Sequence, residues 1–250
     1  MLQVITDSAC DLPRQTAAEH NIDIIPFVVH LDGREYVDGE TIEAAAVYEA
    51  LRAGRQPTTS QVPAEFFWNT FTKYAEKGIR CLYIAFSSKL SGTCSTARLI
   101  AQEVQRRYPK FELTICDSQS GSLAQGLIAL EAAQLTAAGV PDDDVIARAQ
   151  LRSKGNMEHV FTVDDLGHLH RGGRLRWTSA VMGTMLKVKP ILHVVDGRMV
   201  VLQKVRGKAA ALKRIVELVR ERSLGSVEQL IGITHADDLE AAEKLRSMLQ

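Results

Sequence analysis

The 250-residue sequence predicts an α/β protein of two domains, and three of its features support this prediction. In the first part of the chain, short apolar runs alternate with helical segments of about 10 to 15 residues, the pattern of βαβ units around a parallel sheet. The run CLYIAF at 81–86 is almost continuously apolar, as in a strand buried on both faces. This alternating pattern of strands and helices changes near residue 157. We therefore expect an N-terminal α/β domain over 1–157, with a parallel sheet and flanking helices, and a smaller C-terminal α/β domain over 158–250.

The first domain begins with the strand QVIT and a helix that has Pro13 near its start. The apolar run at 22–31 is predicted to be a strand that Pro26 interrupts. The helix at 41–54 is expected to have Thr41 as its cap and Gly54 as its stop. Further helices are predicted at 63–78, 95–108, 122–139 and 142–155, with strands at 81–86 and 111–117.

The second domain is predicted to begin with a strand at 158–163. Asp196 and Gly197 lie between two apolar runs, which indicates a β-hairpin. A helix at 209–222, a strand at 229–237 and a helix at 238–250 complete the prediction. The last helix has no Gly or Pro stop, so this domain is expected to be truncated at its end.

Composition and charge limit the kinds of ligand and partner that are expected for this protein. Formal net charge is zero, but residues 150–222 carry 15 Lys and Arg against 6 Asp and Glu. This excess suits an anionic ligand or an acidic partner, or simply a solvated basic face. Aromatic residues are sparse there and no nucleic-acid motif appears, so nucleic acid is not an expected partner. No apolar stretch approaches the roughly 20 residues of a membrane span, which argues against stable membrane insertion.

Neither a metal nor a cofactor is expected. The four cysteines form no CxxC pair, which disfavours a zinc site or a disulfide framework. His168 and His170 lack recognisable further metal ligands. The N-terminus has no basic and apolar regions of a signal peptide, so a cytoplasmic protein is predicted.

Two hydroxyl-rich segments are the candidate binding elements. SSKLSGT at 87–93 leaves a predicted strand and enters a helix, where free N–H groups favour an anion. Ser91 and Thr93 can add donors, and Gly92 permits close approach. In PTTSQVP at 57–63, Thr59 and Ser60 precede another helix. Each segment by itself can be an N-cap on a turn, but the two together suggest a shared anion site.

Several charged residues are further candidates for ligand binding or catalysis. Arg174 and Arg206 can each grip a carboxylate or phosphate with two hydrogen bonds. Asp7 and Asp11 can bind a metal or act as acid and base, although capping or supporting roles are favoured, as for Asp117. An alternative interpretation is a hydrolase or phosphotransferase that acts on an acyl or phosphoryl ester through Ser91 and Asp7, with Arg174. No motif fixes a base beside Ser91.

Seven motifs occur in one order between residue 6 and about residue 234: TDSACDL, TTSQVPAEF, SSKLSGT, CDSQSGS, HRGGRL, LKVKPIL with VDG, and KVRGKAAAL. This set resembles the DegV family, bacterial fatty-acid-binding proteins that include the FakB type. The resemblance implies two α/β domains, a buried acyl chain such as that of palmitate or oleate, and a carboxylate hydrogen-bonded at the domain cleft.

The resemblance also assigns roles to residues. It implies that Thr59 and Ser91 hold the carboxylate. Ser60, Gly92 and Thr93 of the same two segments are the other residues expected to line the binding site. Arg174 and Arg206 match basic positions associated with the head group or with docking of a kinase. In FakB members a separate kinase phosphorylates the bound fatty acid, so this chain is expected to be a lipid carrier and not an enzyme. The family usually continues past the last helix to a strand and a His- and Gly-rich segment, which this sequence does not contain.

Overall fold

The computed structural model of the chain describes residues 2–175, 188–223 and 229–250. These divide into two units, Met1–Met157 and Glu158–Gln250. The strands of the first unit are β1 (Gln3–Asp7), β2 (Ile22–Ile25), β3 (Val28–Leu31), β4 (Arg34–Val37), β5 (Thr58–Ser60), β6 (Cys81–Ala85) and β7 (Leu113–Asp117). Its helices are α1 (Arg14–Glu19), α2 (Ala44–Arg52), α3 (Ala64–Glu76), α4 (Thr93–Arg107), α5 (Ser122–Ala137) and α6 (Asp142–Arg152).

A parallel four-stranded sheet of order β2-β1-β6-β7 forms the centre of the first unit. Every residue of β1 and β6, the two inner strands, is buried. Side chains alternate along β6: Leu82 and Ile84 pack with α5 and α6 on one face, while Tyr83 and Ala85 pack with α3 and α4 on the other. The predicted parallel sheet with flanking helices is confirmed.

The strand order places a switch point between β1 and β6. The chain leaves β1 towards β2 on one side, and leaves β6 towards β7 on the other. In open parallel sheets, ligands bind beyond the carboxyl ends of the strands at such a point. Residues 87–93 follow β6 directly and therefore lie at this edge.

A second, antiparallel sheet of order β4-β3-β5 was not predicted. Pro26 divides the apolar run at 22–31 into β2 and β3, which belong to different sheets. Asp32 and Gly33 turn the chain between β3 and β4, both with positive φ (53° and 74°). This is the backbone of a type I′ hairpin turn.

The cap predicted at Thr41 is wrong, and so is the N-cap alternative for the segment that contains Thr59 and Ser60. Thr41 is outside α2, whose N-cap is Glu43, and its hydroxyl instead accepts a hydrogen bond from Val37 N at 2.7 Å. The N-cap alternative for Thr59 and Ser60 fails because both residues belong to β5, and Pro63 precedes α3. Gly54 and Gly78 follow their helices with positive φ, as expected of residues that end a helix.

The second unit contains β8 (Val160–Thr162), α7 (Gly167–Arg171), β9 (Val188–Val195), β10 (Arg198–Arg206), α8 (Lys208–Arg222) and α9 (Leu239–Leu249). Its sheet has the order β10-β9-β8, with both pairings antiparallel. The predicted hairpin is confirmed, since Asp196 and Gly197 have φ of 48° and 75° between β9 and β10. Together with the parallel sheet of the first unit, this bears out the predicted α/β class.

The strand predicted at 229–237 is wrong for the part of the chain that the structure describes, where this segment has no strand pairing. Its apolar side chains Leu230 and Ile231 are 75% and 45% exposed. A β-strand requires a hydrogen-bonded neighbour, which local sequence cannot supply. Among the helices described, none combines the length and apolar character that crossing a membrane requires.

Candidate functional site

The two hydroxyl-rich segments lie against each other at the start of α4. Gln61, just after β5, donates from Nε2 to Thr96 Oγ1 at 2.9 Å. The backbone N–H of Val62 donates to Thr93 Oγ1 at 3.3 Å. Residues 57–63 and 87–93 thus contribute to one surface beside the N-terminus of α4, although the two segments are distant in sequence.

Gly92 permits this close contact because it has no side chain. A Cβ atom at this position would lie 2.1 Å from Gln61 Oε1. The φ of Gly92 is −72°, which any residue can adopt, so the requirement is for space and not for an unusual backbone. The result is an exposed glycine at the N-terminus of α4, where the first-turn N–H groups lack helical acceptors.

Ser91 and Thr93 form a hydrogen-bonded pair. Their hydroxyl oxygens are 2.8 Å apart, and the backbone N–H of Thr93 donates to Ser91 Oγ at 3.2 Å. Thr93 is fully buried, whereas Ser91 is partly exposed. A molecule arriving from solvent can therefore reach Ser91 but not the Thr93 side chain.

Thr59 and Ser60 lie on opposite faces of β5, because side chains alternate along a strand. Thr59 pairs with Val29, and Ser60 pairs with Val28. Thr59 is exposed and Ser60 is half-buried. The two hydroxyls therefore do not face one small ligand group together. In an extended chain, Thr59 shares its side with Gln61, the residue that rests on Gly92.

The loop that carries Ser91 is fixed at its beginning by backbone contacts. Ser87 N donates to Ser120 O at 2.9 Å, and Ser88 N donates to Asp117 Oδ1 at 3.1 Å. Asp117 also accepts from Gln119 N at 3.2 Å. Asp117 thus joins the loops after β6 and β7, which is the supporting role that its sequence position suggested.

Asp7 is enclosed beneath this edge of the sheet. One carboxylate oxygen accepts from Tyr83 Oη at 2.7 Å and from Phe86 N at 2.9 Å. The other accepts from Gln125 Nε2 at 3.0 Å and from Ala9 N at 3.3 Å. Burial raises the pKa of Asp7, while these donors oppose the increase. The side chain has no exposed surface, so its geometry is that of an internal anchor.

Of the capping and supporting roles favoured for Asp11, capping of α1 is wrong, because Pro13 occupies the N-cap position. Its carboxylate instead accepts a hydrogen bond from the Ser122 hydroxyl. Asp11 belongs to the lining of a cleft of about 500 Å³ in the first unit, together with Arg14 and four further carboxylates. Those carboxylates are Asp23, Asp38, Glu40 and Glu43.

The basic candidates lie in the second unit. Arg174 follows the turn at Gly172 and Gly173, where its backbone N–H donates to Leu169 O at 3.0 Å and its guanidinium contacts Gly172 O. Gly173 has a φ of 74°, which a glycine adopts readily and which allows the chain to turn tightly after α7. Arg206 is the last residue of β10 and is exposed.

His168 and His170 make local contacts. His168 Nδ1 lies 3.2 Å from the Arg171 guanidinium, and His170 Nδ1 lies 3.3 Å from Leu175 O. Within residues 2–175, 188–223 and 229–250, no group of three or more His, Cys, Asp or Glu side chains is arranged to hold a metal ion.

The small residues of α5 allow close packing within the first unit. Ala129, Ala132 and Ala133 are buried in the core beside β1 and β6. A Cβ atom on Gly126 would lie 2.6 Å from Cys10 O, so this part of the helix contacts the loop after β1 directly. The segment AVMGTML at 180–186, whose methionines could adapt to an acyl chain, lies outside the described residues.

Comparisons with known proteins identify the family. The model of the DegV family, described as "Uncharacterised protein, DegV family", matches residues 1–250. A DegV domain-containing protein from Clostridium perfringens is 36% identical over 250 residues, which cover 99% of this chain and 86% of the relative.

Solved structures agree with this assignment. A DegV family protein from Thermus thermophilus, described by its fatty acid binding, matches with a TM-score of 0.80 at 32% identity over 90% of this chain and 78% of its own. DegV from Bacillus subtilis, described as a fatty acid binding protein, matches with a TM-score of 0.85 at 30% identity over 99% and 87%. The family resemblance and the DegV-like fold predicted from the motifs are confirmed, and the chain belongs to the DegV family.

Proposed function

We propose that this protein binds a long-chain fatty acid, such as palmitate or oleate, and holds its carboxylate at the N-terminus of α4. The observation that carries this proposal is the meeting of two hydroxyl segments at the switch point of the parallel sheet. The two relatives described as fatty acid binding, at 32% and 30% identity, support the same ligand class.

The donors available there suit a carboxylate. Ser91 is a partly exposed residue with a hydroxyl, and Thr59 is an exposed one. The first turn of α4 offers backbone N–H groups and the positive end of the helix dipole. A carboxylate that leaves water needs several such donors to remain charged. We assign Ser91 and Thr59 as direct donors, Gly92 as the point of close approach, and Ser60 as flanking.

The acyl chain supplies most of the affinity in this proposal. At about 0.8 kcal/mol per buried CH₂, a 16-carbon tail contributes on the order of 12 kcal/mol before ordering costs. We do not place the tail in the 500 Å³ cleft beside Asp11, because five carboxylates line it and would lose hydration against an apolar chain.

We propose a carrier and not an enzyme. In the described part of the chain, the side-chain hydrogen bonds of Ser91 go to Thr93, and none goes to a base. Asp7 is buried with four donors around it, which favours anchoring over the acid-base role of the alternative hydrolase.

A fatty-acid kinase is the proposed partner, with Arg206 and Arg174 available for its docking or for the acyl head group. Arg206 is exposed at the end of β10, which suits contact with an acidic surface. All four cysteines are unpaired, in keeping with the reducing cytoplasm.

The test begins with organic extraction of the purified protein and mass spectrometry of the extract. A near-stoichiometric fatty acid of about 14 to 18 carbons is expected. Dissociation constants for added palmitate and oleate are then compared for Ser91→Ala and Thr59→Ala, with Ser88→Ala and Thr58→Ala as controls. Thr58 is exposed on the opposite face of β5 from Thr59, and Ser88 uses its backbone N–H.

Loss of one hydrogen bond to a charged group weakens binding by about 1.5–3 kcal/mol, or about 10- to 150-fold. We expect that loss for Ser91→Ala and Thr59→Ala, and less than about twofold for the controls. An empty extract together with no uptake of either acid would refute fatty-acid binding. Unchanged affinity of the Ser91/Thr59 double variant would refute the head-group assignment alone. Labelling of Ser91 by a fluorophosphonate ester, with turnover of an acyl ester, would instead establish the hydrolase.

A further inference from the structure

We infer that Thr93 is a positioning residue, which orients the Ser91 hydroxyl towards the ligand without touching the ligand itself. This inference rests on the proposed function and explains how the chain prepares that donor. It changes the role expected for Thr93 from a direct ligand contact to a support behind one.

The directions of two hydrogen bonds are fixed by backbone donors. Val62 N–H donates to Thr93 Oγ1 at 3.3 Å, and Thr93 N–H donates to Ser91 Oγ at 3.2 Å. Each hydroxyl oxygen therefore already accepts one hydrogen bond. The two oxygens are 2.8 Å apart, so one of the two hydroxyl protons lies between them.

Burial decides which proton that is. If Ser91 donated to Thr93, the Thr93 proton would need another acceptor, and the residues that the structure describes provide none beyond Ser91. Thr93 has no exposed surface, so water does not replace that acceptor, and an unsatisfied buried donor is unfavourable. The favoured arrangement has Thr93 donating to Ser91.

This arrangement leaves the Ser91 proton directed away from Thr93. Ser91 is partly exposed, so its proton is available to water or to a ligand oxygen. Because Ser91 Oγ accepts from both the backbone and the hydroxyl of Thr93, its own O–H is polarised and becomes a stronger donor. Occupation of its lone pairs also makes Ser91 a poor nucleophile.

The relay joins the two segments of the site. It begins at the backbone of Val62, passes through the Thr93 hydroxyl and ends at Ser91. The Val62 donor is a backbone N–H, which most residues would supply at that position. The relay therefore depends on the side chain at position 93, which must carry a hydroxyl. Serine keeps the hydroxyl there, whereas valine keeps the shape and removes the relay.

The experiment is a double-mutant cycle with oleate as the probe. Dissociation constants are measured for the unaltered chain, Thr93→Val, Ser91→Ala, the double variant and Thr93→Ser. Thr93→Val is expected to weaken binding about fivefold or more in the unaltered background, and less than about twofold when Ser91 is already alanine. Thr93→Ser is expected to restore affinity to within about twofold.

A merely structural role gives a different pattern. An equal loss from Thr93→Val in both backgrounds, or no rescue by serine, would overturn the positioning role while leaving fatty-acid binding intact. No binding by the unaltered chain would overturn the proposed function and this inference together.

If Thr93→Val does not fold, proton NMR of the unaltered protein decides the same question. The Thr93 hydroxyl proton is expected to exchange slowly, and the Ser91 proton rapidly. Slow exchange at Ser91 with fast exchange at Thr93 would overturn the inferred direction.

Discussion

Replacing Gly92 by alanine is expected to separate ligand binding from folding. The substitution adds one methyl group at the exposed start of α4, beside the proposed carboxylate site. That methyl group would lie 2.1 Å from Gln61 Oε1, well inside ordinary van der Waals contact. Because Gln61 is an exposed and flexible side chain, it can move aside and break its hydrogen bond to Thr96.

The stability change follows from these contacts. Loss of one surface hydrogen bond costs about 0.5–1.5 kcal/mol. The backbone of Gly92 is compatible with alanine, so the reduced entropy of the unfolded chain returns about 0.4–1 kcal/mol. The free energy of unfolding should therefore change by no more than about 1 kcal/mol.

The affinity change is expected to be larger. The methyl group covers the first-turn N–H groups of α4 and removes about one charge-assisted hydrogen bond from the carboxylate. At about 1.5–3 kcal/mol, this weakens oleate binding by about 10- to 150-fold. Urea unfolding measures the stability, and displacement of a fluorescent fatty acid measures the dissociation constant.

Gln61→Ala is the matched comparison for Gly92→Ala. It removes the side chain that the methyl group displaces, and the double variant contains both changes. If the methyl group itself obstructs the ligand, Gln61→Ala binds normally and the double variant remains weak. Affinity of Gly92→Ala within twofold of the unaltered chain would contradict the placement of the head group at this helix end.

Three further predictions concern the first unit. Tyr83→Phe removes a hydrogen bond to Asp7 and should destabilise the fold by about 1.5–3 kcal/mol. This hydrogen bond favours the ionised form of Asp7, and burial raises the pKa of Asp7 in the folded state above its usual 3.8. The loss of stability measured by urea unfolding should therefore be largest above that raised pKa. It should become smaller as the pH falls through the raised pKa, because the carboxylate is then protonated. Gly126→Ala places a methyl group 2.6 Å from Cys10 O and should lower the melting temperature, with a cost of about 1–3 kcal/mol; an unchanged melting temperature would contradict the packing of α5. Burial raises the pKa of the Cys10 thiol to about 12, so a thiol reagent should modify it at the rate of unfolding, and fast modification of the native protein would contradict its burial.

The parallel sheet was predictable because its inner strands are buried on both faces and therefore apolar throughout. The antiparallel sheet β4-β3-β5 was harder to recognise. Its strand β5 consists of Thr58–Ser60, with no apolar residue to indicate a strand. One signal was present in LDG at 31–33, which forms the same kind of turn as VDG at 195–197. The strand after the first turn, REYV, is short and mostly polar, so its own pattern gives little indication of a strand.

Long-range pairing limits what a sequence can predict about this site. The position of Ser91, Gly92 and Thr93 directly after β6 indicated an anion site, because helix N-termini beyond parallel strands favour anions. It did not identify Gln61 or Val62, which contact α4 from 35 and 31 residues away. The same limit applies to the strand predicted at 229–237, because an apolar segment becomes a strand only where it pairs with a neighbour.

Asp7 shows that a residue of a type used in catalysis need not be available for reaction in the folded protein. Its sequence position, directly after the first strand, is compatible with a catalytic acid. Its donors come from Tyr83 and Gln125, 76 and 118 residues further along the chain. Only the folded arrangement shows that both oxygens are occupied and that no surface remains.

The residues of SSKLSGT that carry hydroxyl groups therefore have different roles, and the difference bears on function. Ser87 and Ser88 hold the loop through their backbone N–H groups, Thr93 is buried behind the site, and Ser91 alone combines exposure with a supporting partner. A nucleophilic serine needs a base that accepts its proton. Ser91 has the opposite arrangement, in which its oxygen accepts from Thr93 and its proton is left for an acceptor from outside. Such a serine is suited to holding a carboxylate and not to attacking an ester, which is why this geometry favours a carrier over a hydrolase.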